Sequence, residues 1–373
     1  MKMQHPDFSS QNGDQLLQAL QEYCAKMGVS DIHTSPEKEH VRLEIRLHGI
    51  LQELSSVSHA VYTDYIRRVK FLSKLKLNIT NIPQDGQYTF DTADETGRRT
   101  INIRVASLPS RFGETFTLRL LDPSRGIKPL PELGFPEEIH NKLGELIKLP
   151  NGLILVTGPT GSGKTTTLYA LLHTIIGKQR NIITLEDPIE YEINGIVQSE
   201  IDVDHDFTFA SGLRSILRHD PDVVLVGEIR DRETAQTAID ASLTGHLVLG
   251  TLHTNSAVEA VTRLLSMGVS PYTFAPSLRA ILAQRLVRTL SDEAKKNKEK
   301  CDPSNPDIYT GRRAMPELLI ITPSIRELIL QQERESTVLD KAKKEGYITM
   351  KQWGDTWVKD GITLQEEIER VTM

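Results

Sequence analysis

"GLILVTGPTGSGKTTTLYALL", residues 152–172, decides the fold. A short run of branched apolar residues reads as a buried strand. It ends in a glycine-rich turn, and the turn opens a segment of helical pattern. Gly158, Pro159, Thr160, Gly161, Ser162, Gly163, Lys164 and Thr165 fit G-x-x-x-x-G-K-[ST] in the strand–turn–helix setting that gives this motif its meaning. Glycines let backbone N–H groups curl inward onto phosphate oxygens, and the helix N-terminus adds favourable positive potential. Lys164 is expected to reach the β- and γ-phosphates, and Thr165 to place its hydroxyl on Mg²⁺. Residues 158–166, Thr166 included, are therefore read as a nucleoside triphosphate loop.

Downstream, further apolar runs alternate with helical segments: "NIITLED" (181–187), "DVVLVGE" (222–228) and "HLVLGTLH" (246–253). This is the signature of a parallel sheet covered by helices on both faces, an α/β architecture. In such sheets ligands lie beyond the carboxyl ends of the strands. Two acidic groups fall there. One holds Glu186, Asp187, Glu190 and Glu192; from it Glu186 or Asp187 is a candidate for the Mg²⁺ shell. The other is Glu228, the candidate general base or water-orienting residue. Pairing with Arg230 or Arg232 is its structural alternative. His253 ends a strand on the side expected for the γ-phosphate, where an imidazole can sense that group. His246 starts the same strand, farther away.

Upstream, "DQLLQALQEYCAKMG" (14–28) places Leu16, Leu17, Leu20, Tyr23 and Cys24 on one helical stripe closed by Gly28. "VRLEIRLHGILQEL" (41–54) reads as strand, turn and strand, followed by a helix over about residues 60–77. Two more strands follow, at 98–109 and 114–122. Residues 1–122 are thus expected to form a small α+β domain. The segment 123–137, with four prolines and two glycines, is expected to be a flexible linker. An ATPase core over 138–290 and a charged loop with a C-terminal helical region over 291–373 complete the expected organisation.

The whole chain has 373 residues, 38% hydrophobic and 25% charged, with a net charge of −6. An acidic chain without a basic, aromatic-laced groove argues against nucleic acid as a partner and against a DNA-translocating ring. Two distant cysteines, Cys24 and Cys301, exclude a disulfide framework and a thiolate zinc cage, so no zinc is expected and a reducing, cytoplasmic setting fits. The polar start carries no apolar signal segment, and no apolar run is long enough to span a bilayer. A slow nucleotide-dependent switch would need Lys164 and Thr165 but not Glu228 and the arginines, so their presence favours an enzyme.

The boxes and their order resemble the bacterial secretion-superfamily ATPases of type II secretion, type IV pili and competence systems. "GPTGSGKTTTLYALL" resembles their Walker A and "NIITLEDPIEYE" their acidic box. "LRHDPDVVLVGEIRDRETAQTAIDASLTGHLVLGTLHTN" (217–255) resembles their Walker B and histidine box, the latter including His246 and His253. "IPQDGQ" and "RVASLPSRFGETFTLRLLDP" are similar to their N-terminal domain, and "GRRAMPELL" and "ITLQEEIERVT" to their C-terminal end. The resemblance spans roughly residues 28 to 373. It implies a PAS-like N-terminal domain joined by a linker to a RecA-like P-loop domain. It implies a cytoplasmic homo-hexamer that hydrolyses ATP with Mg²⁺ and works peripherally on the inner face of the membrane against a platform protein. It also implies phosphate-contacting arginines: Arg104 and Arg119 in the N-terminal domain, and Arg214, Arg218, Arg230 and Arg263 in the nucleotide domain, some at subunit interfaces.

Two departures stand out. Many assembly-type members carry a four-cysteine zinc site where this chain has "SDEAKKNKEKCDPSNPDIYTGRR" (291–313) with Cys301 alone. Many also carry a further N-terminal domain that docks on a membrane partner. Without room for it before residue 14, docking is expected to use other surface. The motif wording, including "GYITMKQWGDTWVKDGITLQEEIERVT", favours pilus assembly or type II-like secretion; pilus retraction is the alternative.

Overall fold

The computed structural model describes Phe8 and residues 12–94, 97–123, 128–298 and 301–372. The chain divides into two compact units, Met1–Gly126 and Ile127–Met373.

The first unit opens with α1 (Gly13–Met27), whose start is fixed by a capping box between Asn12 and Gln15. Strands β1 (Asp31–Pro36), β2 (Val41–Leu47) and β3 (Ile50–Val57) precede α2 (His59–Leu72). Strands β4 (Gln84–Asp94), β5 (Gly97–Ser110) and β6 (Gly113–Leu121) follow. They form one sheet in the order β3-β2-β1-β6-β5-β4, with every neighbour antiparallel. Burial alternates along β2, as in a sheet packed on one face only. The stripe Leu16, Leu17, Leu20 and Cys24 of α1 is buried in this unit's core with Ile32, Leu43, Ile45, Ile103 and Phe116. Burial pushes the Cys24 thiol up to about 12, so it behaves as a small apolar side chain.

The second unit carries β7 (Gly152–Thr157), β8 (Ile182–Glu186), β9 (Val197–Glu200), β10 (Val223–Val226), β11 (Leu247–Leu252), β12 (Leu278–Leu290) and β13 (Tyr309–Ile320). Their order is β13-β12-β7-β11-β10-β8-β9. All neighbours are parallel except β12 and β13. The helices of this unit are α3 (Glu137–Leu146), α4 (Lys164–His173), α5 (Phe209–Ile216), α6 (Arg232–Leu243), α7 (Ala257–Ser266), α8 (Pro271–Ser277), α9 (Asp292–Lys296), α10 (Pro323–Leu330), α11 (Glu335–Lys344), α12 (Met350–Lys359) and α13 (Gln365–Thr372). β7 and β11 are buried at every position. Leu153 and Leu155 enter one core and Ile154 and Val156 the other, which is why these strands read as unbroken apolar runs. Among the described residues no helix is long and apolar enough to cross a membrane.

Two segments differ from the sequence reading. Within 123–137, Leu130, Leu133 and Phe135 are buried against the α4 side of the sheet, and Leu130–Leu133 forms a 3₁₀ turn. Prolines and glycines marked the absence of a long element there, but the apolar residues between them anchor the segment. Residues 309–320, expected within a charged loop and helical tail, form β13 and extend the main sheet beyond residue 290. Before it, Leu290, Ala294, Tyr309 and Leu364 close a small apolar cluster, with Cys301 packed against it.

Glu317 of β13 is buried. One carboxylate oxygen accepts the Ala257 N–H at the start of α7 (2.8 Å), and the other accepts the Met350 N–H at the start of α12 (3.2 Å). A carboxylate suits two helix N-termini, which leave N–H groups unpaired and carry partial positive charge. Nearby, Glu367 on α13 takes Arg288 through its Nε (3.0 Å), Nη2 (2.9 Å) and backbone N–H (2.9 Å). Arg370 adds a further bidentate pair. Burial works against the Glu367 charge, but the hydrogen bonds from Arg370 and Arg288 outweigh it and hold the carboxyl below its usual range.

Replacing Arg288 by Met is expected to lower stability by about 1.5–3 kcal/mol, because it removes charged hydrogen bonds while Arg370 still pairs with Glu367. The Glu367 carboxyl is depressed in the folded state, so its contribution is complete above the ordinary glutamate value of about 4.3. It is lost as pH falls through the lower folded value. Thermal unfolding of wild type and variant from pH 7 to pH 3 checks both: the gap between them should narrow on the acid side.

Candidate nucleotide site

The glycine-rich turn leaves β7 in the interior of the sheet, between β11 and β12. Thr157, the last residue of β7, is in register with Leu252 on one side and Ala283 on the other. Its hydroxyl lies 2.7 Å from the Thr254 hydroxyl and 3.1 Å from the Leu252 carbonyl, and it accepts the Thr254 N–H at 2.9 Å. The end of β11, and His253 with it, is thereby fixed to the root of the loop.

The loop itself is tightly drawn. Gly158 has φ +149°, and a Cβ there would meet the Gln284 carbonyl oxygen and the Ser162 hydroxyl at 2.6 Å each. Gly163 has φ +86° and caps α4. Lys164 Nζ folds back to donate to the carbonyls of Gly158 (2.9 Å) and Pro159 (3.1 Å). Burial lowers the Lys164 pKa; Glu228 opposes that shift and Arg285 adds to it. Thr165 and Thr166 sit half-buried on the first turn of α4.

Glu228 follows β10 through Gly227. Its two oxygens lie 2.7 Å from Arg230 Nη2 and 3.3 Å from His253 Nε2. Burial opposes its charge, but the Arg230 hydrogen bond, with the nearby charges of Arg230, His253 and Lys164, holds its carboxyl below the usual range. Burial lowers the His253 pKa, Lys164 adds to this, and Glu228 opposes it. Near neutral pH the site therefore pairs an ionised carboxylate with a neutral imidazole. The pairing with Arg230 that reads as a structural alternative is present, in the same side chain that faces His253.

Other candidates fall elsewhere. His246, grouped with His253 in the sequence, lies at the opposite end of β11, roughly 20 Å away for a six-residue strand. Its Nδ1 donates to the Ala241 carbonyl (2.9 Å), closing the end of α6. An extended strand cannot bring both of its ends to one ligand. Glu186 is buried, and both oxygens are engaged: one with Thr184 (2.6 Å) and Gln198 (3.1 Å), the other with the Tyr169 hydroxyl. It braces α4 against β8, which leaves Asp187, exposed and 4.0 Å from Arg230, as the open carboxylate of the pair. Glu190 is half-buried in the segment that follows. Arg214 pairs with Glu233 (2.5 Å), and Arg218 reaches back to the Arg214 carbonyl (3.0 Å). Arg263 is exposed in the last turn of α7. Arg104 and Arg119 face one another across β5 and β6 in the first unit, where Arg119 Nε donates to Asp31 (2.7 Å).

Several site residues escaped sequence reading. Gln284 on β12 is fully buried, donating to the Ser162 carbonyl (2.8 Å) and accepting from Thr167 (2.9 Å). Arg285 donates to the Asn255 carbonyl (3.3 Å) and side chain (3.0 Å), beside His253 and Thr254. The available signal was an amide inside the apolar run "LRAILAQRLVRTL", since a buried polar group needs partners.

In Glu228→Gln the carboxylate that raises the His253 pKa is gone. Ring-carbon NMR titration of His253 should show a midpoint below the free-histidine value of about 6.5 in wild type, and lower still in the variant.

The sequence model of the type II/IV secretion system proteins matches residues 10–370. The chain is 42% identical over 363 residues to the type II secretion system protein HxcR of Pseudomonas aeruginosa, covering 96% of this chain and 76% of that protein. It is 42% identical over 380 residues to the type II secretion system ATPase E of Vibrio cholerae, covering 96% and 75%. The crystal structure of the pilus retraction motor PilT with bound ADP superposes with a TM-score of 0.60 at 30% identity, over 95% of this chain and 98% of that one. The ATPase DotB of Legionella pneumophila shares the fold, with a TM-score of 0.76 at 23% identity over 98% of each chain. A sheet of this order, a glycine-rich turn leaving one of its interior strands and relatives matching nearly the whole chain lead to one conclusion: the protein belongs to the type II/IV secretion system ATPase family.

Proposed function

We propose that this protein is the ATP-hydrolysing motor of a type II secretion system. The observation that carries the reading is the convergence of Lys164, Glu228 and His253 beyond the ends of three adjacent strands, β7, β10 and β11. The backbone of residues 158–165 fits the phosphates. Lys164, now held on the Gly158 and Pro159 carbonyls, exchanges those contacts for β- and γ-phosphate oxygens. Thr165 and Asp187 fit the shell of Mg²⁺, which when bound neutralises charge on the phosphates. Glu228 orients the attacking water and accepts its proton, and Arg230 holds that carboxylate ionised. His253, neutral and at hydrogen-bonding distance from Glu228, senses the γ-phosphate.

Arg104 and Arg119 of the first unit, PAS-like in this reading, close over the nucleotide and balance charge developing on the transferred group. Some of Arg214, Arg218, Arg230 and Arg263 act at contacts between subunits of a homo-hexamer. Cycles of closure and opening about the linker read at 123–137, of which 124–127 lie outside the described residues, drive a platform protein at the cytoplasmic face of the inner membrane. The apolar cluster around Leu290 and Tyr309 serves where assembly-type relatives use zinc. The identities of about 42% to type II secretion proteins favour this role. The likeness to PilT supports pilus retraction as the second reading.

Glu228→Gln is expected to lower kcat by about a hundredfold or more while ADP still binds, and Lys164→Ala to abolish both binding and turnover. Phosphate release and calorimetric ADP titration measure these. In cells carrying Lys164→Ala, secreted enzymes should accumulate inside. Normal secretion with excess surface filaments would assign the protein to retraction instead.

A further inference from the structure

We infer that Gln284 sets the orientation of the peptide joining Ser162 and Gly163, and so makes the Gly163 N–H available as a phosphate ligand. The inference rests on the reading of residues 158–165 as the nucleotide loop. Gln284 lies on β12, outside the glycine-rich motif, and is fully buried. Both ends of its amide are used. Nε2 donates to the Ser162 carbonyl at 2.8 Å, and Oε1 accepts the Thr167 hydroxyl at 2.9 Å. The Ser162 carbonyl can only accept, so it fixes which way round the amide stands, and the buried Thr167 hydroxyl donates to the oxygen left over.

A trans peptide is planar, with its C=O and N–H pointing in opposite directions. Drawing the Ser162 carbonyl toward β12 therefore turns the Gly163 N–H away from β12. The positive φ of Gly163 lets the chain enter α4 from that arrangement. Gly158 is held against the same strand, since any Cβ on it would strike the Gln284 carbonyl oxygen. One residue of β12 thus touches the loop at both ends of its curl. Gln284 acts through the loop and not on the nucleotide, so it is a positioning residue.

Gln284→Glu tests this most sharply. It keeps an acceptor for Thr167 but replaces the donor with a carboxylate oxygen facing the Ser162 carbonyl, which favours the flipped peptide. Gln284→Met removes both bonds and serves if the charged variant does not fold. Phosphate contacts of the loop are made in ground and transition states alike, so their loss appears chiefly in binding. The expected result is an ADP Kd raised about tenfold or more, with KM for ATP rising by a larger factor than kcat falls, and an unchanged far-UV spectrum. Unchanged ADP affinity in a folded variant, or a fall in kcat at constant KM, overturns the inference while leaving the nucleotide site standing. Failure of the wild-type protein to bind ADP overturns both.

Discussion

The hydroxyl of Thr157 joins the two strands on which the nucleotide site depends. β7 supplies the glycine-rich turn and β11 leads to His253, and nothing in a parallel ladder by itself fixes what happens after the last backbone pair. The side chain of Thr157 continues the ladder by one step, bonding to Leu252, to the Thr254 N–H and to the Thr254 hydroxyl. Thr251 does similar work on the other side, donating to the Gly227 carbonyl at 2.5 Å just before Glu228. Three chemical groups from three strands are thus held in place by the hydroxyls of two β-branched residues, which are stiff at χ1 and already favoured in strands.

Electrostatics gives this arrangement its direction. Lys164, Arg230 and His253 gather near Glu228, and desolvation of Lys164 lowers its pKa. Cations held partly out of water beside one carboxylate are under-compensated. In the proposed function a polyphosphate supplies the missing negative charge. Glu228 stays ionised because Arg230 offsets its burial, which keeps its charge available when phosphates enter.

Much of this was legible in the sequence, for a physical reason. Both faces of the central strands are buried, so β7, β8, β10 and β11 appear as apolar runs, and polar residues mark where each run stops. The glycine-rich turn, Glu228 and His253 were singled out from that pattern, and the fold places them beyond the ends of adjacent strands. β1 and β4 of the first unit were not visible, because "DIHTSP" and "QDGQYTFDTAD" are polar and carry few inward apolar residues. β13 was hidden by "GRRAMPELL", whose charged first half points to solvent while its second half is buried. The partners of Glu186 and His246 depend on neighbours brought in by the fold, so sequence spacing overstated the part each takes in the site. The contacts of Gln284 were unreadable because a sequence does not show which way a buried amide faces.

Glu317 gives the C-terminal helices a mechanical standing. Its two oxygens bind the first N–H groups of helices that begin more than ninety residues apart, at Ala257 and Met350. Those helices cannot drift independently, because moving one without the other would strand a buried carboxylate with half its partners. The segment after residue 320 is therefore geared to the turn that carries His253 and Asn255. A load applied to the tail would be felt at the site through one rigid tooth, not through a soft surface.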